Sequence, residues 1–216
     1  MHHGRLLVTG MIVAVALGSG TRVRAAWAEG IEAGISVGYA NLSLDDSASE
    51  LDGQGGFRME PRLTWRPFAE MPELGIGFAT AISFYRADLP EPTGGSFFGE
   101  TPEGGFEEMT LIVPELQFSW RQRIAQRWTI EGGVGVGGAF ADYSAGDIIV
   151  DNFVVSTLSD DDAALSVHPF LRAGYGRDKW TVGVDAGYLW TDIDFGRPVG
   201  GGLSEWSVGF FATSRQ

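Results

Sequence analysis

The chain has 216 residues, of which 44% are apolar and 12% aromatic, and it contains 32 glycines and no cysteine. This length fits one domain with a sizeable core, and the missing cysteines exclude a disulfide scaffold, a thiolate metal site and a cysteine nucleophile. The formal charge of -13 argues against nucleic acid as a partner, because a surface that binds nucleic acid must be basic.

The first 28 residues have the pattern of a secretory signal peptide. Arg5 precedes an apolar run over residues 6–17, which is too short to span a bilayer as a helix. Ala26-Trp27-Ala28 then supplies small residues at both specificity positions of a cleavage site. We therefore predict export and a mature domain over residues 29–216. A retained anchor is the alternative, and it would need about 20 apolar residues.

From residue 31 onward, apolar residues alternate with small or polar residues in eight separate runs. Ile31, Ile35 and Val37 alternate with Glu32 and Ser36, for example, and this period of two predicts a β-strand. The runs lie at residues 31–40, 57–66, 75–84, 112–121, 128–140, 165–175, 181–190 and 206–210. The sequence therefore predicts an all-β domain with eight strands.

The connections between these runs alternate in length. Long loops follow the first, third, fifth and seventh runs, at residues 43–56, 87–109, 144–163 and 192–204. The links near residues 123–127 and 177–179 are tight, and the link at 68–73 is intermediate. Long loops at one end and short turns at the other are typical of an up-and-down antiparallel barrel. Within the third long loop, residues 148–155 predict a short hairpin.

Three prolines, Pro61, Pro114 and Pro169, take matching places on the second, fourth and sixth predicted strands. Proline has no N–H to donate to a neighbouring strand. We therefore expect a bulge or a local gap in the hydrogen-bond ladder at each of them.

Alternation alone leaves open which face of the barrel is inside. In a soluble barrel of the lipocalin kind the apolar face would form the core, whereas in a membrane barrel it would face lipid. The transmembrane arrangement is favoured because aromatic residues of the apolar face sit at the strand ends, as two girdles around an aliphatic band. The girdle beside the short turns comprises Trp65, Trp120, Trp128, Tyr175 and Trp180, and the girdle toward the long loops comprises Tyr39, Phe84, Phe140, Tyr188, Trp190 and Trp206.

The polar face is rich in glycine and alanine, which suits a narrow interior, and it carries charges of both signs. We predict that these charges form a structural ion-pair network that plugs the lumen; a gated proton or ion path is the alternative. Arg172 and Asp185 lie opposite or diagonal to each other across one short turn, so we expect them to form an ion pair. Arg121 and Glu131 have the same relation across another short turn, and we expect them to pair as well. The predicted network comprises Arg58, Glu60, Arg62, Glu115, Arg121, Glu131, Arg172 and Asp185.

With these features, residues 29–216 resemble the small eight-stranded outer-membrane barrels of the OmpA transmembrane domain, OmpX and OmpW kind. The resemblance is architectural and rests on pattern, not on an exclusive motif. It implies a monomer in a Gram-negative outer membrane, in contact with its lipid and lipopolysaccharide. Such a barrel is too narrow for a porin-like channel. Members of this group usually end on an aromatic residue, whereas here Phe210-Phe211 is followed by residues 212–216.

His168 is the only histidine after the predicted signal peptide, and Ser166 shares its face two residues away. Such a pair could serve as base and nucleophile toward a lipid A acyl ester, with Asp185 or Glu60 orienting the ring. The local motif of outer-membrane deacylases is missing, so a hydrogen-bonded lumen histidine is the preferred interpretation. Because residues 29–216 contain one histidine and no cysteine, we expect no metal site and no cofactor.

Acidic residues concentrate in the long loops, whereas bases cluster beside the short turns. Asp160-Asp161-Asp162 is the densest acidic spot, so a divalent cation or a basic protein is the candidate partner of the loops. The bases are Arg66, Arg121, Arg123, Arg127, Arg177 and Lys179.

The preferred function is a non-enzymatic outer-membrane barrel for envelope structure or surface interaction. The alternatives are a lipid A-modifying hydrolase and a narrow conduit for small or apolar solutes.

Overall fold

A computed structural model describes residues 30–45, 51–68, 70–88, 106–145, 149–150, 153–154, 158–177, 179–194 and 201–215. The predicted signal peptide lies outside these residues. Eight long strands are present: β1 (Ile31–Leu44), β2 (Gly55–Trp65), β3 (Leu74–Asp88), β4 (Phe106–Arg123), β5 (Trp128–Ala145), β8 (Leu158–Arg177), β9 (Trp180–Asp194) and β10 (Gly201–Arg215). Two short strands, β6 (Ile149–Val150) and β7 (Phe153–Val154), pair as the hairpin predicted in the third long loop.

The eight long strands form a closed barrel in which every neighbouring pair is antiparallel. Their order around the barrel is β1, β10, β9, β8, β5, β4, β3, β2, and pairing of β1 with β10 closes it. The predicted strand count and up-and-down order are confirmed. No helix among the described residues is long and apolar enough to cross a membrane.

The three prolines interrupt the ladder without shifting its register. Pro61, Pro114 and Pro169 each lie in a two-residue gap toward the next strand of the barrel. Pairing of β2 with β3, for example, stops at Met59 and resumes in the same register at Arg62. The prediction of local gaps is therefore confirmed, and no bulge forms at these positions.

The outer surface of the barrel is apolar, as the transmembrane prediction requires. Large apolar side chains such as Phe78 and Val184 are half exposed, while the charged side chains of Arg58, Glu60 and Arg172 are buried inside the barrel. The predicted girdle residues face outward, and some of them stack in pairs. The rings of Tyr39 and Trp206 lie 5.6 Å apart, and those of Trp128 and Tyr175 lie 5.1 Å apart. Phe57, which the sequence analysis omits, extends the girdle toward the long loops.

The interior of the barrel has two layers. The half toward the short turns is charged. The half toward the long loops is an apolar core in which Leu42, Leu111 and Leu189 are at most 1% exposed. Tyr85, Met109 and Tyr143 fill the space between the aliphatic side chains. The apolar layer is an addition to the predicted ion-pair network, and it forms because inward residues such as Leu111 and Val113 are apolar near the long loops.

The strands also extend further than the alternation indicates. The loop assignment of Asp160-Asp161-Asp162 is wrong, because these residues belong to β8, opposite Tyr143, Asp142 and Ala141 of β5. A barrel strand needs about 9–11 residues to cross a bilayer. β4 and β5 have 18 residues and β8 has 20. Their ladder therefore continues beyond the apolar band, where it still pairs the backbone N–H and C=O groups of these acidic residues.

Candidate functional site

Glu60 of β2 is the centre of the charged layer. Its side chain is 3% exposed, and its carboxylate lies 3.0 Å from Arg58, 2.8 Å from Arg172 and 4.0 Å from Arg62. The amide of Gln117 donates to the same carboxylate at 3.2 Å. A buried carboxylate is stable only with such partners, because its desolvation costs several kcal/mol.

A second cluster lies closer to the short turns. Arg121 contacts both Glu131 and Glu32 at 2.6 Å. Arg66 lies 3.1 Å from Glu131 and 3.6 Å from Glu32. The structure thus pairs Arg121 with Glu131 as expected, and it adds Glu32 and Arg66, which the predicted network omits. Arg172 lies 3.7 Å from Glu131, so it links this cluster to Glu60.

The expected pairing of Arg172 with Asp185 is wrong. The two residues are direct neighbours in the register of β8 and β9, as the sequence indicates. However, Arg172 extends across the lumen to Glu60, with its guanidinium 3.9 Å from the centre of the Phe170 ring. The short Asp185 side chain instead accepts a hydrogen bond from Ser36 at 2.5 Å. The cause is reach, because an arginine side chain can cross this lumen and an aspartate cannot.

His168 is fixed by Glu115, not by Asp185 or Glu60. Its Nδ1 lies 3.0 Å from Glu115 Oε1, and its Nε2 lies 3.4 Å from Arg58 Nη2. A neutral ring protonated on Nδ1 satisfies both contacts, since Nδ1 then donates to the carboxylate and Nε2 accepts from the guanidinium.

Ser166 and His168 are not hydrogen-bonded to each other among the described residues. A serine nucleophile needs a hydrogen bond to its base of about 2.6–3.2 Å. The hydroxyl of Ser166 is buried and has no hydrogen-bond partner in the described part of the chain. Both residues are also at most 2% exposed, inside the packed lumen. The geometry gives no support to the hydrolase alternative.

Glu60, Glu115 and His168 bring potential metal-ligating atoms within 4.8 Å of one another. However, Arg58 contacts both Glu60 and His168, and Arg172 contacts Glu60. These two guanidinium groups provide the positive charge that a bound cation would otherwise supply. We therefore assign no metal to this trio.

Glu205 of β10 also belongs to the charged layer, although the predicted network does not include it. This carboxylate is 1% exposed, pairs with Arg58 and accepts a hydrogen bond from the hydroxyl of Tyr85. Glu205 falls between the loop predicted at residues 192–204 and the predicted run that begins at Trp206, so neither assignment covers it. Extending the alternation of Trp206 and Val208 back by one residue places Glu205 on the inner face. The charged layer then holds five arginines and six acidic residues in the described chain, namely Arg58, Arg62, Arg66, Arg121 and Arg172 with Glu32, Glu60, Glu115, Glu131, Asp185 and Glu205.

Glycines make room for these side chains. A Cβ atom at Gly135 would overlap the carboxylate of Glu115, which also holds His168. We expect Gly135→Ala to lower the free energy of unfolding by about 1–3 kcal/mol, the usual cost of overpacking a well-packed interior. Gly132→Ala is the control on the outer face of the same strand, because its new Cβ would come no closer than 3.8 Å to Leu171. Urea titration of both variants would measure the difference, and equal stabilities would show that the lumen is loosely packed.

Comparisons with known proteins support the fold. No protein-family model and no curated protein sequence matches the chain. Among solved structures, Neisserial surface protein A matches with a TM-score of 0.52 and 12% identity, covering 87% of this chain and 98% of that one. Ail of Yersinia pestis, solved with the heparin analogue sucrose octasulfate, matches with a TM-score of 0.49 and 16% identity over 85% and 99% of the two chains. OprG of Pseudomonas aeruginosa matches with a TM-score of 0.45 and 13% identity over 86% and 96%. At 12% identity, the match to Neisserial surface protein A shows the barrel fold alone.

Proposed function

We propose that this protein is a non-enzymatic outer-membrane barrel that acts in envelope structure or surface interaction through its long-loop end. The observation that carries the proposal is the filled interior. An apolar core closes the half of the lumen toward the long loops, and a buried ion-pair network closes the other half. A barrel packed in this way is a rigid support and not a channel.

The distribution of polarity supports a location in the outer membrane. Apolar side chains cover the outside, and the charges are inside, which is the reverse of a soluble protein. Two aromatic girdles border this apolar band, as they do in outer-membrane barrels. The predicted signal peptide supplies the export that such a location requires.

The long-loop end supports a role in surface interaction. β4, β5 and β8 continue past the apolar band and present acidic side chains, of which Asp142 and Asp161 are exposed. A negatively charged surface attracts basic partners or divalent cations over a distance of about one Debye length. A basic protein segment or a divalent cation is therefore the partner class that we propose.

Fractionation, gel mobility and conductance test this proposal together. We expect the protein to sediment with outer membranes and to migrate differently on a gel when unheated, because a closed barrel has no strand edge from which to unfold. Purified protein in planar bilayers should show no steady conductance. Recovery in the soluble periplasmic fraction would contradict the membrane location, and stable ohmic channels would favour the conduit alternative.

The hydrolase alternative makes a different prediction, because it requires Ser166. On our proposal, expression of the wild type and of Ser166→Ala should leave the same lipid A acylation pattern in mass spectrometry. Loss of an acyl chain with the wild type and not with Ser166→Ala would show that the protein is an enzyme, because removing a nucleophile abolishes catalysis nearly completely.

A further inference from the structure

The short-turn end of the barrel carries an open basic cavity that the proposed function leaves unexplained. We call it the basic mouth and define it by Arg66, Arg121, Arg123, Arg127, Lys179 and Arg215. These residues lie at the ends or flanks of β2, β4, β5, β9 and β10, so they approach the opening from several sides. The cavity has a volume of about 910 Å³, and Glu32 and Glu73 are the acidic residues of its described lining.

Three of these bases have no acidic partner among the described residues. Arg123, Lys179 and Arg215 have no carboxylate within 4.0 Å in the part of the chain that the structure describes. All three are exposed at the rim of the cavity. An acidic protein with a formal charge of -13 thus concentrates unpaired positive charge at one end, which focuses the electrostatic field there.

The buried base of the mouth is also incompletely satisfied. The Arg66 side chain is 4% exposed, and its Nε has no hydrogen-bond partner among the described residues, with Glu32 3.6 Å away. Arg121 and Arg215 both repel Arg66. An anion bound in the cavity would offset this repulsion.

Phosphate is the anion that this lining fits best. Arginine presents several N–H donors in a planar fork that matches phosphate oxygens, and the hydroxyls of Thr129, Thr181 and Thr213 line the same cavity. The volume lies within the range of about 300–1,000 Å³ typical of small-molecule sites, which is more than one phosphate needs. We infer that the basic mouth binds more than one phosphate group at a time, supplied either by a soluble compound or by lipid headgroups.

Calorimetric titration with inorganic pyrophosphate tests this inference on protein purified from membranes in a zwitterionic detergent. We expect saturable binding at about 50 mM salt that weakens as salt is added. The triple variant Arg123→Gln, Lys179→Gln, Arg215→Gln should bind pyrophosphate about tenfold more weakly or worse, since each change removes a charge-assisted contact. Arg86→Gln, an exposed arginine outside the mouth, is the matched control and should bind as the wild type does.

Unheated gel mobility checks that every variant is folded. Absence of pyrophosphate binding to the folded wild type would overturn the inference, and so would equal affinities of the wild type and the triple variant. Neither result depends on the role of the long-loop end. This inference can therefore fail while the proposed function stands, and the proposed function can fail while this inference stands.

Reconstitution in nanodiscs separates the two sources of phosphate. If lipid headgroups fill the mouth, adding phosphatidylglycerol to phosphatidylcholine discs should weaken pyrophosphate binding to the wild type. If the ligand is soluble, the affinity should be the same in both kinds of disc. Either result supports a phosphate site and assigns its source. If pyrophosphate shows no saturable binding in either kind of disc, the inference of a phosphate site is overturned.

Discussion

Replacing Glu60 with glutamine should lower the free energy of unfolding of the barrel by about 3–5 kcal/mol, the usual cost of removing one partner from a buried ion pair. The change removes the negative charge that faces Arg58 at 3.0 Å and Arg172 at 2.8 Å. Both guanidinium groups would stay buried and lose their shared carboxylate. Urea titration of the barrel refolded into lipid vesicles measures the effect, because vesicles keep the apolar band in its own environment.

Asp185→Asn is the matched control, since its inward carboxylate accepts a hydrogen bond from Ser36 and lies within 4.0 Å of no arginine nitrogen among the described residues. Asp185→Asn should lower the free energy of unfolding by about 1 kcal/mol, the net contribution of one hydrogen bond. A loss as large as that of Glu60→Gln would mean that Asp185 is the charge partner of Arg172 after all.

A double change tests the link between Glu60 and Arg172 directly. Arg172→Met combined with Glu60→Gln should lower the free energy of unfolding by less than the sum of the two single changes. The reason is that Arg172→Met removes a buried positive charge that has lost its carboxylate partner in Glu60→Gln. Additive losses would show that Arg172 is stabilised mainly by Glu131 and the Phe170 ring.

The fold could be predicted from the sequence because its signal is local. A period of two identifies a strand and its two faces within about ten residues, and alternating loop lengths identify the up-and-down order. Pairing across a short turn is also local, which is why the register of Arg172 with Asp185 and of Arg121 with Glu131 is as expected.

Contacts across the lumen could not be predicted in the same way. Glu60 and Arg172 are 112 residues apart in the chain, and they meet only because the barrel closes with a particular stagger between its strands. Side-chain length then selects the partner, so that Arg172 passes over its register neighbour. Alternation carries no information about the stagger.

The apolar core near the long loops could not be predicted from the alternation for a different reason. Where the inner face changes from charged to apolar, as at Leu111 and Val113 beside the outward Ile112, the alternation in hydrophobicity disappears. The predicted runs therefore end before the strands do. Continuing the inside and outside parity beyond the ends of the runs would have identified Leu42, Ile193 and Glu205 as interior residues.

A positive charge on the outer face should have a large effect that depends on depth. Val184 of β9 lies four residues from Trp180 and four from Tyr188, at the middle of the apolar band, and it is 50% exposed to the lipid. We expect Val184→Arg to lower the free energy of unfolding in vesicles by about 2–4 kcal/mol, because a guanidinium at the bilayer midplane is poorly solvated. Less of the protein should then run in the folded, heat-modifiable form.

Val208→Arg is the matched control for this change, because it inserts the same side chain on the same outer face without removing an aromatic ring. Val208 is 48% exposed, lies opposite Tyr39 and is two residues from Trp206, so it adjoins the girdle toward the long loops. There the arginine can reach water and headgroups, so the cost should be only about 0–1 kcal/mol. Equal small losses at both positions would mean that water surrounds the band, and the barrel would then be a soluble protein with an exposed apolar surface.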